Sequence, residues 1–232
     1  MRFGSFLLWL GGGKLMYGPF QGLTYTPRSV GSALGPKTLG VYEKELHELI
    51  ASLGGRYQNL INIGAAEGYY AVGLALLWKL NSVIAFETEA AGRDLIISNS
   101  KDNGLEKIIQ VKGRCDIPDL QTALESSQGS LVLIDVEGAE LLLLDPVKIT
   151  QLRRNDILVE THDFCATGCT QTIADRFRES HLITEISTAD RTRGDLPPIF
   201  RLLGLLFKHS GLSWMDEGRP GPMKWLFLQS KK

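Results

Sequence analysis

A basic surplus is the first thing this sequence lacks. Its 25 Lys and Arg residues face 26 Asp and Glu, leaving a formal net charge of −1 over 232 residues. Nucleic-acid binding usually needs a basic face, and no basic run occurs, so no nucleic-acid partner is expected. Cysteine is scarce: Cys115, Cys165 and Cys169 are an odd set without framework spacing. That excludes a disulfide scaffold and suggests a reducing, cytoplasmic setting. Long apolar runs are missing. The stretch Phe6–Leu10 is too short to span a bilayer, and no small-residue cleavage site follows it, so neither a membrane span nor a signal peptide is expected. There is no internal repeat and no low-complexity segment.

What is present reads as one globular α/β unit. Hydrophobic residues make up 44% and charged residues 22%, and the length suffices for a full core. Residues 1–40 are rich in Gly, Pro, Ser and Thr with Trp9, Tyr17, Phe20 and Tyr25 interspersed, and read as an irregular extension laid over a domain at 41–232. Residues 41–53 carry Val41, Leu46, Leu49, Ile50 and Leu53 near helical spacing. Strand and helix signals then alternate. Strands are expected at 59–63, 82–86, 107–111, 130–135, 156–160, 182–186 and 223–228. Helices are expected at 69–80, 90–103, 117–126 and 170–180, with an interrupted helical stretch at 140–152. The alternation implies a mostly parallel sheet with helices on both faces. The seventh strand, lacking a full crossover, is expected to return antiparallel beside the sixth. The apolar stretch Ile199–Phe207 reads as core packing, with a lid, a dimer contact or a membrane-surface helix as alternatives; pairing of two copies into a homodimer is left open.

The first strand-to-helix turn, Gly64-Ala65-Ala66-Glu67-Gly68-Tyr69, is the first chemical signal. Glycines at its two ends let backbone and ligand approach closely, and the free N–H groups of the next helix suit a carboxylate. Glu87, followed by Thr88, ends the second strand about 20 residues on, where an acid can accept both hydroxyls of a ribose. After the third strand, Asp116 could accept an adenine amino group with Arg114 or Cys115 flanking the ring; equally, Asp116 could cap the helix that starts at Ile117. The dinucleotide fingerprint Gly-x-Gly-x-x-Gly fails here, because Ala66 and Tyr69 stand at its second and third glycines. The methyltransferase pattern Gly-x-Gly-x-Gly misses only at Ala66. Asn62 stands where many methyltransferases carry an acid.

The segments NIGAAEGYYAVGLA, AFETEAAGRDLIISNSKDNGL, LIDVEGAELLLLDP and ILVETHD resemble, in order and spacing, the FkbM-type class I methyltransferases. Asp135-Val136-Glu137-Gly138-Ala139-Glu140 is the most telling piece, and the resemblance spans residues 40–185. It implies a Rossmann-like methyltransferase fold, S-adenosylmethionine as methyl donor and O-methylation of a hydroxyl on a sugar, glycan or other small molecule. A cofactor-binding protein without catalytic activity, acting as an interaction module, is the alternative.

Open α/β sheets bind ligands beyond the carboxyl ends of their strands, which nominates Asp135, Glu137, Glu160, His162 and Asp163. His162 could act as general base, and Asp135 could orient cofactor or acceptor. Asp135, Glu137 and His162, with Asp163 beside them, could instead hold Mg²⁺. Glu140 reads as an early helix-turn carboxylate. Glu137, Asp163 and Arg219 are candidate acceptor contacts, Arg219 as an anion or sugar clamp or a surface salt bridge. Tyr42 and Glu43 could reach the same mouth, and Trp225 reads as core. Cys165, Cys169 and His162 invite a zinc reading that lacks a fourth ligand.

Overall fold

The computed structural model describes residues 3–206, 210–219, 221 and 223–232. Two helices, α1 (Phe3–Leu10) and α2 (Leu34–Leu39), lie in the N-terminal extension; a 3₁₀ turn at Lys44–Leu46 then leads into α3 (His47–Ser52). The helix expected over 41–53 is thus shorter and broken, because Glu43 takes a left-handed backbone (φ +46°) ahead of the 3₁₀ turn. From there the alternation runs β1 (Asn59–Ile63), α4 (Tyr69–Trp78), β2 (Ser82–Phe86), α5 (Ala90–Asp102), β3 (Ile109–Lys112), α6 (Ile117–Ser126) and β4 (Leu131–Ile134). It continues with α7 (Glu140–Leu143), β5 (Asp156–Thr161), α8 (Cys169–Phe177), β6 (His181–Ser187), α9 (Pro198–Leu206), α10 (Ser210–Ser213) and β7 (Lys224–Ser230).

The seven strands form one sheet in the order β3-β2-β1-β4-β5-β7-β6. The first five are parallel, and β7 pairs antiparallel with both β5 and β6. The expected reversed strand is therefore present, inserted between β5 and β6. The strand order reverses at β1 and β4, whose carboxyl ends part to form a crevice, as open α/β sheets require.

Alternating side chains build two apolar layers. One face carries Leu60, Val83, Ala85, Leu133 and Leu158 against α3 and α4. The other carries Ile61, Ile84, Val132, Ile157 and Leu226 against α6, α7 and α8. The N-terminal extension adds Leu8, Leu15, Phe20, Leu23 and Tyr25 to the first layer. This explains why α4 (YYAVGLALLW) is apolar nearly all round: the sheet covers one side and the extension another. A Cβ on Gly73 would meet the Phe20 ring at 2.6 Å, so a glycine lets the two approach. A third cluster joins Leu7, Leu39 and Val41 to Leu196, Phe200 and Met215. Phe200 is thus core, as expected for that stretch, whereas Ile199 and Leu202 are exposed; Phe207 lies outside the described residues. No helix among the described residues is long and apolar enough to cross a membrane.

Candidate functional site

A crevice of about 390 Å³ opens where the sheet order reverses. Its floor is Asn62, Ile63 and the turn Gly64-Ala65-Ala66; one wall is Phe86, Glu87 and Thr88, with Gly113, Arg114 and Cys115 beyond. The opposite wall is Asp135, Val136 and Glu137, and residues Val30–Ser32, Lys37 and Tyr42 of the N-terminal region close over it beside Tyr69 and Tyr70.

The turn is shaped by backbone constraint. Gly64 has φ +78°, and a Cβ there would sit 1.7 Å from the Asp135 carbonyl oxygen. Any other residue would push β1 and β4 apart. Ala66, at the middle glycine position of the methyltransferase pattern, also adopts positive φ (+50°), a conformation alanine occupies at a cost of about 1 kcal/mol. The Glu87 carboxylate accepts from the backbone N–H of Ala66 (2.7 Å) and of Glu89 (2.8 Å), so the acid on β2 braces the glycine turn. A carboxylate has about four acceptor sites, which leaves capacity for further donors. Asn62 is buried, and neither its amide oxygen nor its amide nitrogen has a partner. A fully unpaired buried amide costs about 1–3 kcal/mol, an expense that a polar ligand in the crevice would remove.

Several expected contacts stand elsewhere. Glu67 does not line the crevice; it is fully buried behind the turn, where its carboxylate takes Lys37 Nζ (2.5 Å), Tyr25 Oη (2.6 Å), Ser29 Oγ (2.7 Å) and the Val30 N–H (3.1 Å). Its charge fastens the extension to the turn. Burial alone would raise its pKa, but the Lys37 charge and these donors hold it below the usual carboxylate value. Gly68 is the left-handed N-cap of α4. Asp116 forms a capping box with Asp119 at the start of α6, the cap reading of its two alternatives. Cys115 stays at the crevice wall and packs against the second layer, its thiol pushed up to about 12 by burial and by Asp119 and Asp116.

Beside the crevice the ends of β4 and β5 assemble a buried polar cluster. His162 is 1% exposed and its Nδ1 is tied to Glu140 Oε1. Its Nε2 stands 3.6 Å from Asp135 Oδ1 and 3.5 Å from Glu160 Oε2. Glu160 Oε1 accepts from Arg219 Nη1 at 2.7 Å, and Arg219 also meets Glu217 (2.8 Å), Glu43 and Glu45 (3.5 Å each). Tyr70 donates to Glu43. Burial and the neighbouring Glu160 and Glu43 charges raise the Asp135 pKa well above its ordinary value. Glu43 is pushed up to about 8 by burial and by Glu160, against the pull of Arg219. For His162 burial acts downward, but Glu140, Glu160 and Asp135 carry it up to about 10.

Asp135 and His162 are therefore together as expected, but the third member of their group is Glu160 in place of Glu137. Glu137 is exposed on the crevice rim at φ +45°. Asp163 points away from the cluster: it accepts from Thr170 N (3.1 Å) and Thr170 Oγ1 (2.5 Å) at the start of α8. Arg219 is occupied by four carboxylates and so is neither a free clamp nor a plain surface bridge. Glu140, read from sequence as a helix-turn acid, is fully buried and orients His162. Cys165 and Cys169 do not join His162 in any metal-capable group among the described residues. Trp225 is core, with its indole N–H unpaired. Lys37 was not legible as a site residue: a lone lysine in a Gly- and Pro-rich stretch reads as solvated, and its burial is compensated by Glu67, Ser32 Oγ and the Tyr42 and Tyr69 rings.

No family model matches this chain, and no curated protein matches it in sequence. The solved structures do match in shape. A candidate tRNA (m1A22) methyltransferase from Streptococcus pneumoniae in complex with S-adenosyl-L-methionine aligns with TM-score 0.52 at 15% identity, covering 81% of this chain and 72% of its own. The precorrin 8w decarboxylase of Methanobacterium thermoautotrophicum gives TM-score 0.52 at 13% identity, covering 88% and 95%. The METTL16 methyltransferase domain gives 0.50 at 15% identity, covering 83% and 67%. The fold is the Rossmann-like fold that these structures share. At such identities the likeness concerns the fold alone; the FkbM resemblance rests on the motifs quoted above.

Proposed function

We propose that this protein is an S-adenosylmethionine-dependent methyltransferase that methylates a hydroxyl on a sugar, glycan or other small molecule. The observation that supports this most is one crevice shared by the Gly64 turn, Glu87, Asp135 and the unpaired Asn62 amide. The unpaired Asn62 amide suits the amino-acid end of the cofactor, Glu87 its ribose hydroxyls, and Arg114 and Cys115 the rim of its adenine. When bound, the cofactor supplies an electrophilic methyl on a sulfonium. The domain is taken as 41–232, with 1–40 as an extension whose Val30–Ser32 stretch and Lys37 narrow the crevice and exclude water.

The chain's own residues supply position and proton handling. Of the three residues Asp135, Glu160 and His162, Asp135 is the one that lines the crevice among the described residues, so its carboxylate is the member of that group placed to meet an acceptor hydroxyl. His162, expected from sequence as the general base, is buried, does not line the crevice and has Nδ1 tied to Glu140, so in this reading Asp135 takes that role, with His162 Nε2 3.6 Å behind it. A bound sulfonium cofactor would supply the methyl and be left as a neutral thioether, while Asp135 would take the acceptor's hydroxyl proton. The net charge of −1 does not by itself exclude a nucleic-acid acceptor, since a structure of the same fold is described as a candidate tRNA methyltransferase. The acceptor screen should therefore include tRNA beside sugars and phenols.

The test is labelled-methyl transfer by the wild type and by Asp135→Asn, with S-adenosylhomocysteine affinity measured on both. The expected result is turnover reduced at least a hundredfold with affinity changed less than threefold, in the range of lost general-base catalysis. Equal turnover would remove Asp135 from the chemistry. Binding without turnover on any acceptor would favour the non-catalytic binding protein.

A further inference from the structure

We propose that Asp135, Glu160 and His162 form a divalent-cation site of the zinc class at the inner wall of the crevice. The proposal rests on the methyltransferase reading only for the site's purpose, not for its existence.

Five observations carry it. The three residues offer one ligand atom each, all within 4.8 Å of one another. The separations His162 Nε2 to Asp135 Oδ1 and to Glu160 Oε2, 3.6 and 3.5 Å, are long for hydrogen bonds. They match the edge of a tetrahedron around an ion with bonds of about 2.1 Å, roughly 3.4 Å. Octahedral Mg²⁺ would draw neighbouring ligands to roughly 3.0 Å and prefers oxygen to imidazole.

The outer partners are those a metal site needs. Glu140 holds His162 Nδ1, which directs Nε2 inward and fixes the ring. Arg219 donates to Glu160 Oε1, leaving Oε2 toward His162. Charge is also in surplus. The carboxyl groups of Glu43, Glu45, Asp135, Glu140, Glu160 and Glu217 meet only Arg191, Arg219 and His162 within the cluster. Two guanidiniums and one imidazole fall short of six carboxyl groups even were all ionised, and a divalent ion would offset part of that deficit. Finally, Asp135 is 32% exposed while its two partners are buried, so the ligand set has one open side, facing the crevice. Three protein ligands with one open position is the arrangement of a catalytic rather than structural zinc site. There the ion would bind the acceptor oxygen and lower its pKa.

The experiment is calorimetric titration of chelator-treated full-length protein with Zn²⁺ and, separately, with Mg²⁺. Crystals grown with Zn²⁺ would then be measured for anomalous scattering at the zinc edge. The expected result is one Zn²⁺ per chain, with an anomalous peak between Asp135, Glu160 and His162. Glu160→Gln should weaken it at least a hundredfold, Glu140→Gln ten- to a hundredfold, and Cys165→Ser not at all. Circular dichroism checks that each variant folds; should Glu160→Gln not fold, the anomalous map on wild type decides alone. No Zn²⁺ binding, a peak elsewhere, undiminished affinity in folded Glu160→Gln, or tighter binding of Mg²⁺ would each overturn the proposal. S-adenosylhomocysteine titrated into the same samples separates the two readings. Nucleoside binding without Zn²⁺ binding refutes only the cation site, and the reverse refutes only the methyltransferase reading.

Discussion

Asn62 shows how a single residue can be set for ligand rather than for folding. Its amide is buried on β1 with both polar atoms unpaired, at the base of the crevice. Asn62→Leu keeps the volume and removes the desolvated amide. The expected outcome is a melting temperature equal to or above wild type, together with S-adenosylhomocysteine affinity reduced about tenfold, the value of one hydrogen bond to a charged group. Glu67 shows the opposite use. Removing one partner of its buried pair with Lys37 leaves an uncompensated charge, so Glu67→Gln should cost about 3–5 kcal/mol in denaturant unfolding. Since the folded-state pKa of Glu67 is depressed, its stabilisation is complete above the ordinary glutamate value, near 4.3, and is lost as pH falls through the lower folded value. The stability gap between wild type and Glu67→Gln should therefore narrow on acidification below about pH 4. A gap that stays constant would mean the pair contributes no charge-dependent stability.

At the scale of elements, the strands were the most legible part of the sequence. The runs LINI, VIAF, LVLI and ILVE are apolar because helices cover both sheet faces, and their boundaries fall within a residue or two of those expected. The Gly64 turn and the acid at Glu87 were legible for the same reason: their spacing is set by one strand, one helix and the next strand. The antiparallel pairing of β7 with β6 was legible, but its insertion against β5 was not, because that partner depends on what the long segment after β6 does in space. The cluster was half legible. Asp135 and His162 lie just past the ends of β4 and β5, where side chains leave the sheet; Asp135 reaches the crevice and His162 stays buried behind it. Glu160 replaces Glu137 because a left-handed turn at Glu137 carries its side chain to the rim. The extension was the least legible element, since its anchors Leu15, Phe20 and Leu23 lie among glycines and share no period. Its contact with α4 gives a direct test: Gly73→Ala should destabilise by about 1–3 kcal/mol through overpacking against Phe20. Limited proteolysis should then cut within residues 1–40 faster than in wild type. Unchanged cleavage would show that the extension is held without α4.

For the molecule as a whole, two apolar layers position a gap at the reversal of strand order, and the extension roofs it. The glycine turn, Glu87 and Asp135 come from three different strand ends, so their convergence is a property of the fold and of no single segment. Glu87 carries the largest share of the claim that a nucleoside thioether occupies this gap. Its carboxylate already holds two backbone N–H groups and has acceptor capacity to spare. The decisive measurement is a crystal structure with S-adenosylhomocysteine. The expected density places the ribose hydroxyls within hydrogen-bond distance of Glu87, with the amino-acid end against Asn62 and the Gly64 turn. Density for the nucleoside outside this crevice, or a ribose with no contact to Glu87, would contradict the account.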